Sequence, residues 1–183
     1  LNETAICSSC QTLIKSGEYD WVLAEITQHC EWELQPQKEL PGVTQLQPND
    51  PGFAIQHLED RASVMFWRHI RSIKQGDIAP IRKMAAESFC KQLETELQPD
   101  EAGNRRIYTE CAVRAVMTLG LILAQGGVDK ALVKIRWSGQ RCELTKAGHV
   151  TQIQDSSLRT AIYVLERQHG AKSRSLARGR LYH

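Results

Sequence analysis

The sequence predicts an α+β domain, with helices first and a run of long antiparallel strands after them. Two observations carry that prediction. Between Phe53 and Leu97 apolar residues recur at helical spacing. From Ile107 onward the period drops to two and holds through a hairpin.

In "FAIQHLEDRASVMFWRHIRSIKQGD" the apolar stripe comprises Phe53, Leu58, Ala62, Met65, Phe66, Ile70 and Ile73, one face of an amphipathic helix. Gly76 supplies its stop, and Asp77 is a plausible N-cap for a second helix that tolerates Pro80 in its first turn. The second helix buries Ile81, Met84, Ala85, Phe89, Leu93 and Leu97 and ends at "QPDEAGN". From Ile107 to Leu123 every odd residue except Thr109 is apolar, while the even set carries Glu110, Arg114 and Thr118, which predicts a strand with one covered face. Gly126-Gly127 makes a turn, and the next strand buries Ala131, Val133, Ile135 and Trp137 opposite Lys130, Lys134 and Arg136. After Gly148, "SLRTAIYVLERQ" is apolar on both faces and suits the interior of the sheet.

Upstream, "PQKELPGVTQLQPNDPG" carries four prolines and two glycines, too many for a continuous helix or a central strand, and reads as a linker. Before it, Tyr19, Trp21 and Leu23 alternate as in a strand, although Trp21, Ala24 and Glu25 could share a helical face; the strand is the preferred reading. The organisation predicted is a cysteine-containing segment 1–35, a linker 36–52, a main domain 53–170 and a basic tail 171–183.

At 183 residues the chain is long enough to bury roughly two thirds of its unfolded surface without covalent staples. Its net charge of +2 is too small to imply a nucleic-acid partner. No run of about 18 apolar residues is present, so a soluble piece is expected. The chain opens at Leu1 without a methionine or a signal-peptide pattern, which leaves room for an upstream targeting or membrane segment.

The six cysteines are too sparse for a secreted disulfide scaffold, so a reducing compartment is expected. Cys30, Cys90, Cys111 and Cys142 lie singly in apolar or amphipathic stretches, as small buried hydrophobes do. Cys7 and Cys10, in "ICSSC", have the spacing of two ligands on one tetrahedral zinc, but a closed site needs four. His29 and Cys30 are candidates to complete it within the chain. Unmetallated thiols or a redox pair is the other reading, although a thioredoxin-like motif normally accompanies a βαβ unit that this sequence lacks.

After Glu166 come Arg167, Lys172, Arg174, Arg178 and Arg180 without one acid. A solvated, frayed terminus is the plain reading. The sharper one is contact of Lys172, Arg174, Arg178 and Arg180 with an anionic membrane surface, each basic residue near acidic lipid adding about 1 kcal/mol.

The order of these pieces resembles a known family. The helix with Phe53 and Phe66, the Gly76-Asp77 step followed by Ile81, Met84 and Phe89, the long hairpin, and "YVLER" at Tyr163 to Arg167 are together similar to the C-terminal domain of the mitochondrial inner-membrane translocase subunit forty-four and its bacterial relatives. That resemblance implies a cone-shaped fold like nuclear transport factor two, with helices packed into the concave face of a curved antiparallel sheet. It also implies a non-enzymatic, membrane-associated scaffold that recruits protein partners, on the reducing side of a membrane or in the cytoplasm. Bacterial relatives often carry zinc-ribbon cysteine pairs, which makes Cys7 and Cys10 readable as half of a ribbon begun upstream of Leu1. The family's usual tryptophan before Glu-Arg is absent, and "HGAKSRSLARGR" has no strand pattern, so the last strand is missing, cut off or supplied from elsewhere.

The alternative is an enzyme or small-ligand-binding protein that uses the pocket of the same architecture, which needs an inward acid or base. His57, Asp60 and His69 flank the helical stripe and read as boundary or solvated residues. Trp137 and Tyr163 are candidates for a ligand-accepting mouth, although aromatics on adjacent strands more often form core. No Gly-rich phosphate loop, nucleophile elbow or HExxH motif occurs, and no catalytic residue is assigned.

Overall fold

A computed structural model describes residues 4–6, 13–15, 20–28 and 40–173. The architecture is α+β. Strands β1 (Thr4–Ile6) and β2 (Leu13–Lys15) pair with each other. Four longer strands form an open antiparallel sheet: β3 (Val22–Thr27), β4 (Arg105–Gln125), β5 (Val128–Leu144) and β6 (Val150–Gln168), in the order β3-β6-β5-β4. The helices are the one-turn α1 (Val43–Leu46), α2 (Ile55–Gln75) and α3 (Glu87–Glu96).

Helix α2 forms where its stripe predicts, burying Leu58, Ala62, Met65 and Phe66. It ends at Gly76, whose φ of 78° belongs to the left-handed region that a side chain disfavours. A second constraint operates there. The Arg105 guanidinium crosses the helix end and donates to the carbonyls of Ile73 and Lys74 at 2.9 and 3.2 Å, so a side chain at position 76 would collide with it. Asp77 caps the following turn by accepting the Ala79 N–H at 2.7 Å.

The second helix differs from its predicted form. The apolar series from Ile81 to Leu97 is buried, but a 3₁₀ turn at Arg82–Met84 and an extended step at Ala85 and Ala86 precede α3, which starts only at Glu87. The cause is tertiary: Leu23 of β3 bridges Ala85, and its carbonyl accepts the Ala86 N–H at 2.8 Å.

Strand β5 buries Ala131, Val133, Ile135 and Trp137 as its alternation predicts. Strand β4 does not keep one parity. Ile107, Leu119 and Leu121 are buried, but Met117 is 50% exposed while even-numbered Thr118 is 2% exposed. Its pairing with β5 shifts register in four places, and each extra residue exchanges the faces of the residues beyond it. Glu110 and Ala124 adopt positive φ at two of these irregularities. Buried Asp129 holds the second by accepting the Ala124 N–H at 2.9 Å.

Strand β6 lies in the interior between β5 and β3, which explains why Ile162, Tyr163, Val164 and Leu165 are all buried. Its neighbour on the side away from β5 comes from upstream of the helices, since Val22–Thr27 pairs with Ile162 to Glu166. The stretch read as a linker, 36–52, is described from Leu40 onward. There the Leu121 N–H donates to the Pro41 carbonyl at 2.7 Å, and Leu46 is buried. Trp21, Leu23, Leu46, α2, α3 and strands β4 to β6 share one apolar core.

At one end of β6, Arg167 is buried against the face of Trp21, its guanidinium carbon 4.6 Å from the ring centroid. Its Nη2 donates to Asp50 Oδ2 at 3.0 Å, and its Nη1 donates to Ser173 Oγ at 3.1 Å. Ser173 gives Asp50 its backbone N–H at 2.9 Å and its hydroxyl at 2.6 Å. Burial pushes the Asp50 carboxyl up, but the Ser173 hydrogen bonds and Arg167 outweigh it and hold the group below its ordinary range. The first residues of the basic tail are thereby tied to the body.

Candidate functional site

A cavity of about 1000 Å³ opens between α2, α3 and the sheet. Helix α2 contributes Phe66, His69, Ile70 and Ile73, spaced three, four and seven residues along one helical face. Leu93 and Leu97 close the floor from α3 and its C-cap, and Ile26 enters from β3. The sheet supplies Tyr108 from β4, Trp137 from β5 and Arg159, Ala161 and Tyr163 from β6. The floor is therefore apolar and aromatic. The rim is charged, with Arg105, Arg106, Arg141, Glu96, Asp100 and Glu143.

The rings form a connected wall. Trp137 lies 5.3 Å from Phe66 and 5.2 Å from Tyr108, the latter nearly perpendicular. Arg159 faces Trp137 across the β5–β6 ladder, and its guanidinium carbon stands 5.3 Å from the Tyr108 centroid and 5.6 Å from that of Trp137. This is cation–π geometry. The Nε atoms of Arg141 and Arg159 are buried without a hydrogen-bond partner, and an unsatisfied buried donor of this kind costs on the order of 1–3 kcal/mol.

His69 packs against Phe89 at 5.9 Å, and burial lowers its pKa to about 4. It is a neutral imidazole at neutral pH. Burial also raises the Tyr163 hydroxyl well above its ordinary value, so it stays protonated. Cys111 packs beside Trp137 at Gly139; burial raises its thiol, opposed by the Arg159 charge, so the thiol form is favoured.

Of the residues singled out by sequence, Trp137 and Tyr163 both lie on the cavity wall. His57 is exposed, 3.8 Å from Asp20, and Asp60 accepts from Gln56 on the solvent side. Lys172 is exposed. Arg174, Arg178 and Arg180 lie outside the described residues, as do Cys7, Cys10, His29 and Cys30. Among the described residues no group of three or more His, Cys, Asp or Glu could hold a metal ion, and no helix is long and apolar enough to cross a membrane.

Sequence reasoning placed His69 beside the stripe and overlooked Tyr108, Arg141 and Arg159. A signal existed for His69 and Arg159. His69 lies three residues after Phe66 and four before Ile73, on the shoulder of the apolar face. Arg159 shares the parity of Ala161 and Tyr163, which also line the cavity, so strand alternation places it on the same face. Tyr108 has even parity among odd apolar residues, and only the irregular course of β4 brings it to the wall.

The sequence matches no protein-family model and no curated protein at a significant level.

Proposed function

We propose that the chain is a non-enzymatic binding domain of the type found in translocase subunit forty-four, with α2 and α3 seated in the concavity of a curved sheet. It docks at an acidic membrane surface and on a protein partner. The observation that carries this reading is the cavity: an apolar, aromatic floor with four arginines on its wall and rim suits capture of an apolar element attached to an anion. The tail residues Lys172, Arg174, Arg178 and Arg180 add electrostatic attraction. Cys7 and Cys10 fit half of a zinc ribbon completed outside this chain, which metal analysis of the purified protein tests: one tightly held zinc per monomer refutes the half-site.

Docking is tested by flotation with vesicles of neutral or acidic lipid. Binding should require acidic lipid, weaken as salt shortens the Debye length below about 8 Å, and fall when Lys172, Arg174, Arg178 and Arg180 are all changed to Gln. Substitution is preferable to truncation because Ser173 anchors Asp50. Absence of binding, or binding indifferent to salt, refutes membrane docking.

One observation favours the second reading, an enzyme acting in the same cavity. His69 is neutral and faces the space, as a general base must. The structure places no carboxylate against its ring among the described residues, so nothing orients or recharges it.

A further inference from the structure

The cavity's arginines are not equivalent. Arg105 is engaged by the carbonyls at the end of α2. Arg141 and Arg159 form no ion pair with any described residue, and the Nε of each is buried and unpartnered. Arg159 makes one long hydrogen bond, from Nη2 to Gln154 Oε1 at 3.4 Å, and Gln154 stands opposite Arg141 in the β5–β6 ladder. Both arginines line the cavity. The nearby acids have other partners: Glu143 accepts from Asn104 at 3.2 Å, Asp100 caps its own loop, and Glu96 accepts from Gln92.

Resting on the reading of this cavity as a binding site, we propose that it takes a long-chain monocarboxylate, a fatty-acid anion, with the carboxylate held by Arg159 and Arg141 and the chain laid along Phe66, Ile70, Leu93 and Leu97. Planar guanidiniums match a carboxylate through paired N–H donors. Glu96, Asp100 and Glu143 on the same rim select a single negative charge over a phosphate dianion, since each further charge on the ligand meets three carboxylates. The tilted aromatic wall keeps Arg159 in place by its ring contacts, so the head-group site is formed before the ligand arrives.

The test is titration of the full chain with palmitate below its micelle concentration, followed by calorimetry and by the fluorescence of its four tryptophans, of which Trp137 lines the cavity. Saturable binding of one palmitate per chain is expected, with methyl palmitate and octanoate each weaker. Arg159→Gln and Arg141→Gln should each lower affinity by about tenfold or more, and Lys83→Gln on the exposed surface should leave it unchanged. Denaturation curves of the variants establish that they are folded. Palmitate and its methyl ester binding equally, or both arginine variants binding like the native chain, overturns the proposal. Acidic vesicles bound while palmitate is not overturns it too, yet leaves membrane docking standing. Palmitate bound through the arginines in the absence of vesicle binding supports the fatty-acid site and removes the membrane reading.

Discussion

Two arginines of one strand, Arg159 and Arg167 of β6, each lie over aromatic rings, yet they live in opposite surroundings. Arg167 is 1% exposed, sits 4.6 Å from the Trp21 centroid and is ion-paired at 3.0 Å to an Asp50 that Ser173 also serves. Arg159 stands over Tyr108 and Trp137 beside a large open cavity and has no ion pair among the described residues. A buried charge survives only with partners that offset its lost hydration, and the Asp50 end of the strand supplies them from three separate segments. At the cavity end Arg159 makes one hydrogen bond, from Nη2 to Gln154 Oε1 at 3.4 Å. One end of β6 is therefore a structural fastening, and the other borders the cavity.

The largest effect should come from breaking the fastening. Arg167→Met leaves Asp50 buried and uncompensated, and should cost about 3–5 kcal/mol in chemical denaturation. Adding Asp50→Leu to that variant should recover part of the loss, because a buried ion pair replaced whole by apolar groups is often neutral. If the double variant is no more stable than the single one, the pair does more than satisfy itself.

The pH dependence should separate the two ends next. The His69 pKa falls from 6.5 to about 4 on folding, so between those values the unfolded chain binds more protons and stability drops as pH drops. At most about 3 kcal/mol is at stake. The Asp50 pKa is also depressed in the fold, so its contribution is present above the unfolded value of 3.8 and disappears as pH falls through the folded value. His69→Gln should flatten stability between pH 6.5 and 4 and leave the more acidic loss intact. A native stability profile level down to pH 4 would contradict the buried setting of His69.

Ser173→Ala removes the hydroxyl bonds to Asp50 and Arg167 but keeps the backbone N–H donor, so a loss of about 1–2 kcal/mol is expected. No loss would show that the chain beyond β6 is not fastened in solution. The smallest effect belongs to Arg159→Gln, within about 1 kcal/mol, the scale of a cation–π contact. A loss as large as that of Arg167→Met would erase the distinction between the two arginines.

The sequence by itself determined the elements whose cause is local. The apolar stripe from Leu58 to Phe66 makes α2, Gly76 ends it, and alternation from Ala131 to Trp137 makes β5, because helical and strand periods are properties of neighbouring residues. Trp137 follows the alternation of its strand, and Tyr163 stands in a stretch that is apolar on both faces; both lie on the cavity wall. The tertiary structure decided everything whose cause lies at a distance. Leu23 interrupts the second helix at Ala85, and β3 crosses from before the helices to cover β6. Register shifts against β5 exchange the faces of β4, exposing Met117 and burying Thr118. Whether an inward arginine is ion-paired or stands beside the cavity was likewise undecidable from β6 alone. Asp50 and Ser173 reach Arg167 only in the folded chain, and among the described residues no comparable carboxylate reaches Arg159; the cost of burying a charge is settled by what surrounds it, not by its place in the strand.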